Sequence, residues 1–237
     1  MSAAVVVGAR NLGRAIAARL AADGWDVAGV ARSDESLEGL PDLGVVPLRG
    51  DASDPAQVDR VLAQARERFG GLDLVVNAAS ASRRAEGPFG GGPVADATLD
   101  GFRGWSTAVA EQGFVMVSRG AAALRDAGGG ALIQVVGGSS RRALPGRGPW
   151  AAGQFAVRAL VHAAAQELRA EGVHVALLVV DATIESPKTA AFTRDAPREA
   201  LADQADVAAA VVYLAAQSPR GMSHELVLTP AGDRWTP

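Results

Sequence analysis

The chain has 237 residues, 49% of them hydrophobic and 5% aromatic, and it contains no cysteine. This length and apolar content suffice for one large core, so we expect a single domain over residues 1–237. The formal net charge of −3 argues against nucleic acid or an anionic membrane as a partner. Disulfides and thiolate metal sites are excluded, and no other metal-ligand spacing is present. No basic segment precedes the first apolar run, and no run reaches the roughly 18 residues of a membrane helix, which predicts a cytoplasmic protein.

Short buried strands alternate with Ala-rich helical stretches along the whole chain. We predict strands at 3–7, 26–31, 45–48, 72–77, 131–136, 173–180 and 225–229, and helices at 13–23, 57–69, 114–126, 150–171 and 206–217. Parallel strands need crossover connections of this kind, which place helices on both faces of the sheet. The predicted fold class is therefore α/β, with one doubly wound parallel sheet of about seven strands. Its ligands are expected outside the carboxyl ends of the strands.

The first turn has the pattern of a phosphate-binding bend. Residues 5–17 read VVVGARNLGRAIA, which indicates a strand, a tight turn and the start of a helix. Such a turn directs unpaired helix N–H groups at a pyrophosphate, with glycines where the backbone bends or approaches closely. We expect Asn11 to adopt a left-handed conformation, which Asn tolerates better than other side chains. The turn predicts dinucleotide binding by Gly8, Arg10, Asn11, Leu12 and Gly13.

The whole chain resembles the short-chain dehydrogenase/reductase family. The first turn fits the family's T-G-x-x-x-G-x-G with one residue deleted. Residues 72–80, LDLVVNAAS, resemble its L-D-x-L-V-N-N-A-G strand, and residues 179–187, VVDATIESP, align with V-x-P-G-x-x-x-T-P except that Asp181-Ala182 replaces Pro-Gly. The resemblance implies a Rossmann-type fold and a nicotinamide cofactor. It assigns to that cofactor Asp51, Ala52, Asn77, Ala78, Ala79, Ile184 and Ser186.

The end of the second strand bears on the choice of cofactor. An acidic residue there would bind the ribose hydroxyls of NAD and repel a 2′-phosphate. This sequence has Ala31, Arg32 and Ser33 instead, with Arg10 able to converge from the first turn. A guanidinium group matches a phosphate in shape and charge. NADP(H) is therefore favoured over NAD(H), the alternative being that the two arginines are solvated surface residues.

The four groups that carry the family's chemistry are an Asn, a Ser, a Tyr and a Lys. The resemblance places them at Ala110, Gly137, Trp150 and Gln154. Neither an indole nor a carboxamide titrates near neutral pH. A positioned acid or base supplies about 10²–10⁴-fold in rate, whereas holding hydride donor and acceptor together supplies up to about 7–11 kcal/mol. Catalysis is therefore weakened and not excluded. Ser139 is a possible substitute for the serine, unless it caps a loop turn.

Basic residues are predicted around the mouth of this site. Arg83 and Arg84 follow the fourth strand, and Arg141, Arg142 and Arg147 follow the fifth. We interpret Arg83 and Arg141 as ligands for an anionic small molecule, or else as part of a solvated surface. Trp150 either stacks on a planar ligand or on the nicotinamide, or fills the space left by the missing groups. Tyr213, the only tyrosine, is expected in the core.

Three functions remain open from the sequence. The first is an NADP(H)-dependent oxidoreductase on a carbonyl or alcohol substrate with unusual proton delivery. The second is an inactive dinucleotide-binding sensor or oligomer partner, a pseudoenzyme. The third is a non-redox enzyme that reuses the pocket through Arg83, Arg141 and Trp150. By resemblance, a homodimer or homotetramer is expected through the helices at 113–126 and 150–171.

Overall fold

The computed structural model describes residues 2–79 and 87–233. Its strands are β1 (Ala3–Val7), β2 (Asp26–Ala31), β3 (Val45–Arg49), β4 (Leu74–Asn77), β5 (Gly130–Gly137), β6 (Val173–Val180), β7 (Thr183–Ile184), β8 (Leu201–Ala202) and β9 (Glu225–Leu228). Its helices are α1 (Leu12–Ala22), α2 (Asp34–Leu37), α3 (Pro55–Phe69), α4 (Leu99–Phe102), α5 (Ala108–Asp126), α6 (Gly148–Leu168), α7 (Ala190–Thr193) and α8 (Gln204–Ala215).

Seven strands form one parallel sheet in the order β3-β2-β1-β4-β5-β6-β9. The chain winds outward from β1 to β3 and then crosses to β4, so the strand order reverses between β1 and β4. All carboxyl ends meet at one edge, and a crevice for a ligand opens where the order reverses. The predicted doubly wound α/β fold and its seven strands are confirmed.

Two apolar layers cover the sheet. One contains residues of α3, α5 and α6, and the other contains residues of α1 and α8. Strand β6, which reads VHVALLVV, is buried at all of its positions. A strand covered on both faces has no polar side to present, which explains why all of its residues except His174 are apolar. The predicted position of this strand is confirmed.

Several sequence expectations need correction. The helix expected at 114–126 begins at Ala108 and is preceded by a π-helical turn, Arg103–Thr107. The small β7–β8 sheet was not predicted, because two-residue strands carry no readable periodicity. Tyr213 is 57% exposed, so its assignment to the core is wrong. The buried face of α8 is formed by Val207, Ala208, Ala210, Val211 and Leu214, and Tyr213 lies on the opposite side.

Helices α5 and α6 approach each other unusually closely. A Cβ atom at Gly113 of α5 would collide with Val157 of α6, and one at Gly153 of α6 would lie 2.7 Å from the carbonyl oxygen of Ser106. Only glycine permits this separation, because the β-branched Val157 has little rotamer freedom with which to move away. The helix contact therefore depends on small residues.

The helix contact yields a stability prediction. Gly113→Ala should destabilise the protein by about 1–3 kcal/mol through overpacking, although Gly→Ala inside a helix is otherwise stabilising by up to about 1 kcal/mol. Urea unfolding measures the change. Val157→Ala combined with Gly113→Ala should cost less than the sum of the two single changes, because the smaller residue removes the collision. Strict additivity would contradict the close approach.

Helix α3 begins with a charged cap. The Asp54 carboxylate accepts hydrogen bonds from the N–H groups of Ala56 and Gln57, and from the Gln57 side chain at 2.8 Å. The side-chain bond from Gln57 is the largest cause that lowers the pKa of Asp54 from its usual value of 3.8, followed by the backbone bonds and the charge of Arg60. Stability from this group is therefore present above pH 3.8 and is lost as the pH falls below that value.

We expect Asp54→Ala to lower the melting temperature at neutral pH by roughly 2–4 °C. The difference from the parent protein should shrink as the pH falls below 3.8, because the parent carboxylate then becomes protonated. Melting curves at several pH values test this. Asp54→Asn is the matched control, since Asn caps helices about as well as Asp without a charge. A difference that does not vary with pH would contradict the role of the charge.

Candidate functional site

The first turn packs backbone against backbone. Gly8 has φ +91°, and its N–H group donates to the carbonyl of Val30 at 2.9 Å. A Cβ at Gly8 would lie 2.5 Å from the nitrogen of Ala79, and a Cβ at Gly13 would collide with the Gly8 carbonyl oxygen. Both positions therefore require glycine. Their small size brings the start of α1 and the end of β4 into direct contact.

The expectation for Asn11 is wrong, because its φ is −112° and thus not left-handed. The Arg10 N–H group donates to the Gly8 carbonyl at 2.8 Å, so the chain has already reversed at Gly8. In this shortened turn, the residue in the place of the middle glycine needs no positive φ. Asn11 makes no side-chain capping bond to α1, and the first N–H groups of a helix have no intrahelical partner. This end of α1 therefore fits an anion.

A groove of about 330 Å³ adjoins this turn. Arg10, Asn11 and Arg14 line it from the turn and from α1. Pro187 lines it from the segment after β7, and Gln204 lines it from the start of α8. Arg14 donates to the Glu38 carbonyl at 2.7 Å, whereas Arg10 is exposed. Ala15, Ala18 and Leu43 complete its lining, so the groove extends from the predicted phosphate-binding turn along the side of α1 and reaches Pro187, the residue after Ser186.

The predicted adenosine side lies at the ends of β2 and β3. The Arg32 side chain is 66% exposed, and its Nη1 lies 4.0 Å from Asp51 Oδ2. An exposed pair at this distance is weak and screened by salt, so Arg32 can still meet a phosphate. Asp51 accepts from the Ser53 hydroxyl at 2.6 Å, and Ser33 shares a hydrogen bond with Ser36. Ala52 is buried beneath this surface.

Buried carboxamides join the middle of the sheet to α5. Asn77 Nδ2 donates to Gln134 Oε1 at 2.8 Å, and Asn77 Oδ1 accepts from the Ala79 N–H at 3.1 Å and from Gln112 Nε2 at 3.4 Å. The Ala78 N–H donates to the Val7 carbonyl at 2.9 Å. The predicted residues 77–79 are thereby held beside the first turn. Sequence reasoning missed Gln112 and Gln134, although a Gln within a buried strand is a signal, since buried amides need partners.

The segment after β6 holds the predicted nicotinamide contacts. Thr189 Oγ1 donates to the Ile184 carbonyl at 2.6 Å, and the Ser186 and Thr189 hydroxyls share a hydrogen bond of 3.0 Å. Thr189 thus fixes both predicted residues in one turn. It was missed from the sequence because such turns depend on local backbone geometry.

Two of the four positions matched to the family's reacting groups, Gly137 and Gln154, meet at the carboxyl end of β5. Gln154 is buried, and its Oε1 accepts from the Gly137 N–H at 3.4 Å. Within the described residues, no atom lies within 4 Å of where a Gly137 Cβ would be, so this position has room for a side chain. Ala110 is half-buried on α5. Ser140, and not the suggested substitute Ser139, donates its hydroxyl to the Gly137 carbonyl, at 2.9 Å.

Trp150 belongs to an aromatic cluster, which consists of Phe89, Trp105 and Trp150. The Trp105 and Trp150 ring centres are 5.9 Å apart in a T-shaped arrangement, and Phe89 lies 5.0 Å from Trp105 and 5.9 Å from Trp150. Arg147 stacks over Phe89 at 5.3 Å. These contacts favour packing as the role of Trp150. The sequence did not identify Phe89 and Trp105, because the segment that carries them has no regular periodicity.

The arginines after β5 contact carboxylates of the chain itself. Arg141 Nε lies 3.5 Å from Glu225 Oε1, and Arg142 Nη2 lies 3.0 Å from Asp181 Oδ1. Glu225 also pairs with Arg158 at 2.9 Å. Anion binding by Arg141 stays a prediction, and its pairing with Glu225 does not favour it. Arg83 and Arg84 lie outside the described residues.

Among residues 2–79 and 87–233, no group of three or more His, Cys, Asp or Glu side chains is arranged to hold a metal ion. In the same part of the chain, no helix has the length and apolarity required to cross a membrane.

Comparison with known proteins gives a consistent picture. A family model described as "Enoyl-(Acyl carrier protein) reductase" matches residues 6–232. The short-chain dehydrogenase/reductase eriH of Hericium erinaceus is 32% identical over 189 residues, covering 72% of this chain and 69% of the relative. Farnesol dehydrogenase of Aedes aegypti is 27% identical over 248 residues, covering 98% and 97%.

Solved structures agree in fold. An alcohol dehydrogenase from Thermococcus sibiricus complexed with 5-hydroxy-NADP has a TM-score of 0.80 at 25% identity and covers 100% of this chain and 99% of its own. A metagenomic short-chain oxidoreductase in complex with NADP has a TM-score of 0.77 at 22% identity, with 98% of each chain covered. Because the family model spans nearly all of the sequence and a relative matches it at 32% identity, the chain belongs to the short-chain dehydrogenase/reductase family of oxidoreductases.

Proposed function

We propose that this chain binds NADP(H) along the carboxyl edge of its sheet. The observation that carries the proposal is the first turn, where Gly8 and Gly13 leave no room for a Cβ and the N-terminus of α1 has no side-chain cap. A bend of this kind offers N–H donors and the positive end of the helix dipole to a pyrophosphate. When bound, the cofactor would supply or accept a hydride at its nicotinamide ring.

The other proposed contacts with the cofactor lie along the carboxyl edge of the sheet. Asp51 and Ala52 would hold the adenine, Asn77, Ala78 and Ala79 would flank the ribose and pyrophosphate, and Ile184 and Ser186 would meet the carboxamide. The groove between Arg10 and Pro187 supports this course, because it links the turn to the segment after β6. Leu12 and Gly13 would contribute backbone N–H groups.

The preference for NADP(H) over NAD(H) depends on Arg32. Its guanidinium is exposed, and the nearest carboxylate holds it only weakly. A 2′-phosphate would replace that weak pair by charge-assisted hydrogen bonds, and no acidic side chain stands at Ala31 to repel it. The NADP derivative bound by the Thermococcus sibiricus alcohol dehydrogenase is consistent with this preference.

For the reaction, we propose slow hydride exchange between NADP(H) and a carbonyl or alcohol substrate. Trp150 and Gln154 replace the groups that would deliver a proton, so the rate depends on positioning and on a proton from solvent. A second candidate is a non-catalytic dinucleotide-binding sensor or oligomer partner. It is favoured by one observation, namely that Trp150 and Gln154 are both engaged in contacts within the protein. The non-redox enzyme is less well supported, because Arg141 is paired with Glu225.

We further propose a homodimer or homotetramer that assembles through α5 and α6. Phe114 on α5 and Phe155 on α6 are both exposed, which suits burial against a second copy. The small ligand is proposed to be the only other partner, and the cytoplasmic location stays a prediction.

Calorimetric titration with NADPH and NADH tests the cofactor proposal. We expect NADPH to bind more tightly than NADH, and Arg32→Gln to weaken NADPH about 10- to 100-fold while leaving NADH unchanged, because a hydrogen bond to a charged group contributes about 1.5–3 kcal/mol. Arg19→Gln is the control, since Arg19 is also exposed and paired to one carboxylate but lies farther along α1. If neither cofactor associates at millimolar concentration, the proposal is wrong.

The triple variant Gly137→Ser, Trp150→Tyr and Gln154→Lys tests the reaction. With the acid–base groups restored, NADPH oxidation by cyclohexanone should rise by about 10²–10⁴-fold. Gly137 has room for the serine, and the melting temperature would report whether the buried lysine is tolerated.

The control combines Gly137→Ala, Trp150→Phe and Gln154→Met, which changes similar volumes without adding a titratable group. If the first variant binds NADPH yet gains no activity over this control, the missing groups are not what limits turnover.

A further inference from the structure

The groove on the side of α1 extends beyond the part that the proposed cofactor would use. It has a volume of about 330 Å³ and begins at the first turn, on the carboxyl edge of the sheet. Its far end is lined by Leu43, which lies just before β3 and therefore near the amino edge. A dinucleotide that lies across the carboxyl edge would leave this far end free.

The groove follows one face of α1. The residues that line it from the turn and the helix are spaced by three or four positions, which places them on the same side: Asn11, Arg14, Ala15 and Ala18. The rise of a helix puts Ala15 about 5 Å and Ala18 about 9 Å beyond Leu12 along the axis. Both alanines are half-buried, and their small side chains leave space beside the helix.

Positive charge is concentrated at the end of the groove near the first turn. Arg14 Nη2 donates to the Glu38 carbonyl at 2.7 Å. A Cβ at Gly39 would lie 2.6 Å from this nitrogen, so the glycine provides room for the guanidinium. This bond engages only one of the five N–H donors of an arginine. The Asp42 carboxylate lies near Gly39, but it forms no ion pair with Arg14.

The second cation at this end is Arg10. Its side chain is exposed, and among residues 2–79 and 87–233 it has no ion-pair partner and makes no side-chain hydrogen bond. None of the described residues that line the groove carries a carboxylate. An anion is therefore the charge that this end of the groove can accommodate.

The rest of the groove along α1 is apolar. Ala15 and Ala18 form its wall, and Leu43, which is 38% exposed, lies at its end. An apolar ligand that covers these side chains removes hydrocarbon surface from water, which favours binding. One groove thus combines a cationic end with an apolar stretch, and a ligand that has an anionic head and a hydrocarbon chain matches both.

We propose that this groove binds an anionic amphiphile, namely a carboxylate with a short unbranched hydrocarbon chain. Its head group lies between Arg10 and Arg14, and its chain runs along Ala15 and Ala18 toward Leu43. This extends the partners proposed above by a second small molecule, and its binding does not depend on the cofactor. Because the cofactor is also proposed to contact Arg10, each of the two ligands should weaken the binding of the other.

Calorimetric titrations with butanoate, hexanoate, octanoate and 1-hexanol test the two halves of the ligand. The affinity should rise from butanoate to octanoate by up to about fourfold for each methylene that is buried. 1-Hexanol has the chain of hexanoate without its charge, so it should bind at least about tenfold more weakly than hexanoate. An affinity that does not vary with chain length, or equal binding of hexanoate and 1-hexanol, overturns the inference.

Two variants test the location. Ala18→Leu fills the apolar stretch and should weaken octanoate at least about tenfold through overpacking. Ala22→Leu is the matched control, because Ala22 is exposed on the same helix and does not line the groove. Arg10→Gln should weaken octanoate roughly fivefold without changing 1-hexanol, whereas Arg19→Gln should change neither. Parental affinity of Ala18→Leu for octanoate would overturn the inference.

Titrations with NADPH separate this inference from the proposed function. Octanoate binding without any association of NADPH supports the groove and contradicts the cofactor proposal, and NADPH binding without octanoate binding does the reverse. Where both bind, saturating octanoate should weaken NADPH at least about fivefold. An unchanged NADPH affinity would overturn the placement of the carboxylate beside Arg10.

Discussion

The close contact between the first turn and the end of β4 is the constraint on which the site depends. Two positions without a side chain, Gly8 and Gly13, allow three stretches of backbone to meet within van der Waals distance. Strand β1 is paired on one side with β2 and on the other with β4, so the turn lies where the strand order reverses. Any side chain at either glycine would push α1 away from the sheet. The backbone contact at the base of the crevice would then be lost. The position of the uncapped N–H groups of α1 thus follows from packing, not from a particular phosphate-binding side chain.

Next to this turn, several buried neutral polar side chains lie near the carboxyl ends of β4 and β5. Asn77, Gln134 and Gln112 satisfy one another, and Gln154 is joined to Gly137. A buried amide is costly only when it lacks a partner, whereas a buried ammonium must also be given a counter-charge. With Trp150 in the preceding turn of α6, a lysine at 154 would have no phenolic oxygen beside it. The glutamine is consistent with that surrounding, because its oxygen finds the Gly137 N–H group.

The sequence predicts those parts of the molecule that depend on periodic patterns. Strand β6 is buried on both faces and is identified by a run that is apolar except for His174. Gly8 and Gly13 are identified by their place between the first strand and the first helix. The parts that depend on contacts distant in sequence were missed. Nothing local indicates that Trp105 would lie against Trp150, that Gln112 would reach Asn77, or that Arg141 would face Glu225. The predicted left-handed conformation of Asn11 was wrong for a different reason. The shortened turn completes its reversal at Gly8, so no left-handed residue is needed at position 11. Tyr213 was placed in the core from its apolar neighbours, yet in a helix those neighbours point to several sides.

The ion pair between Asp181 and Arg142 shows that an aspartate at 181 requires particular residues at other positions. A carboxylate after β6 needs volume that a side chain at 138 would occupy, and it needs a cation within reach. Gly138 provides the first and Arg142 the second, and both lie in the loop that directly follows Gly137, the last residue of β5. The loop after β5 and the residue after β6 are therefore coupled, because a side chain at 138 would collide with the Asp181 carboxylate. Gly138 directly follows Gly137, whose N–H group donates to Gln154, so the ion pair and the amide hydrogen bond lie next to each other at this end of β5.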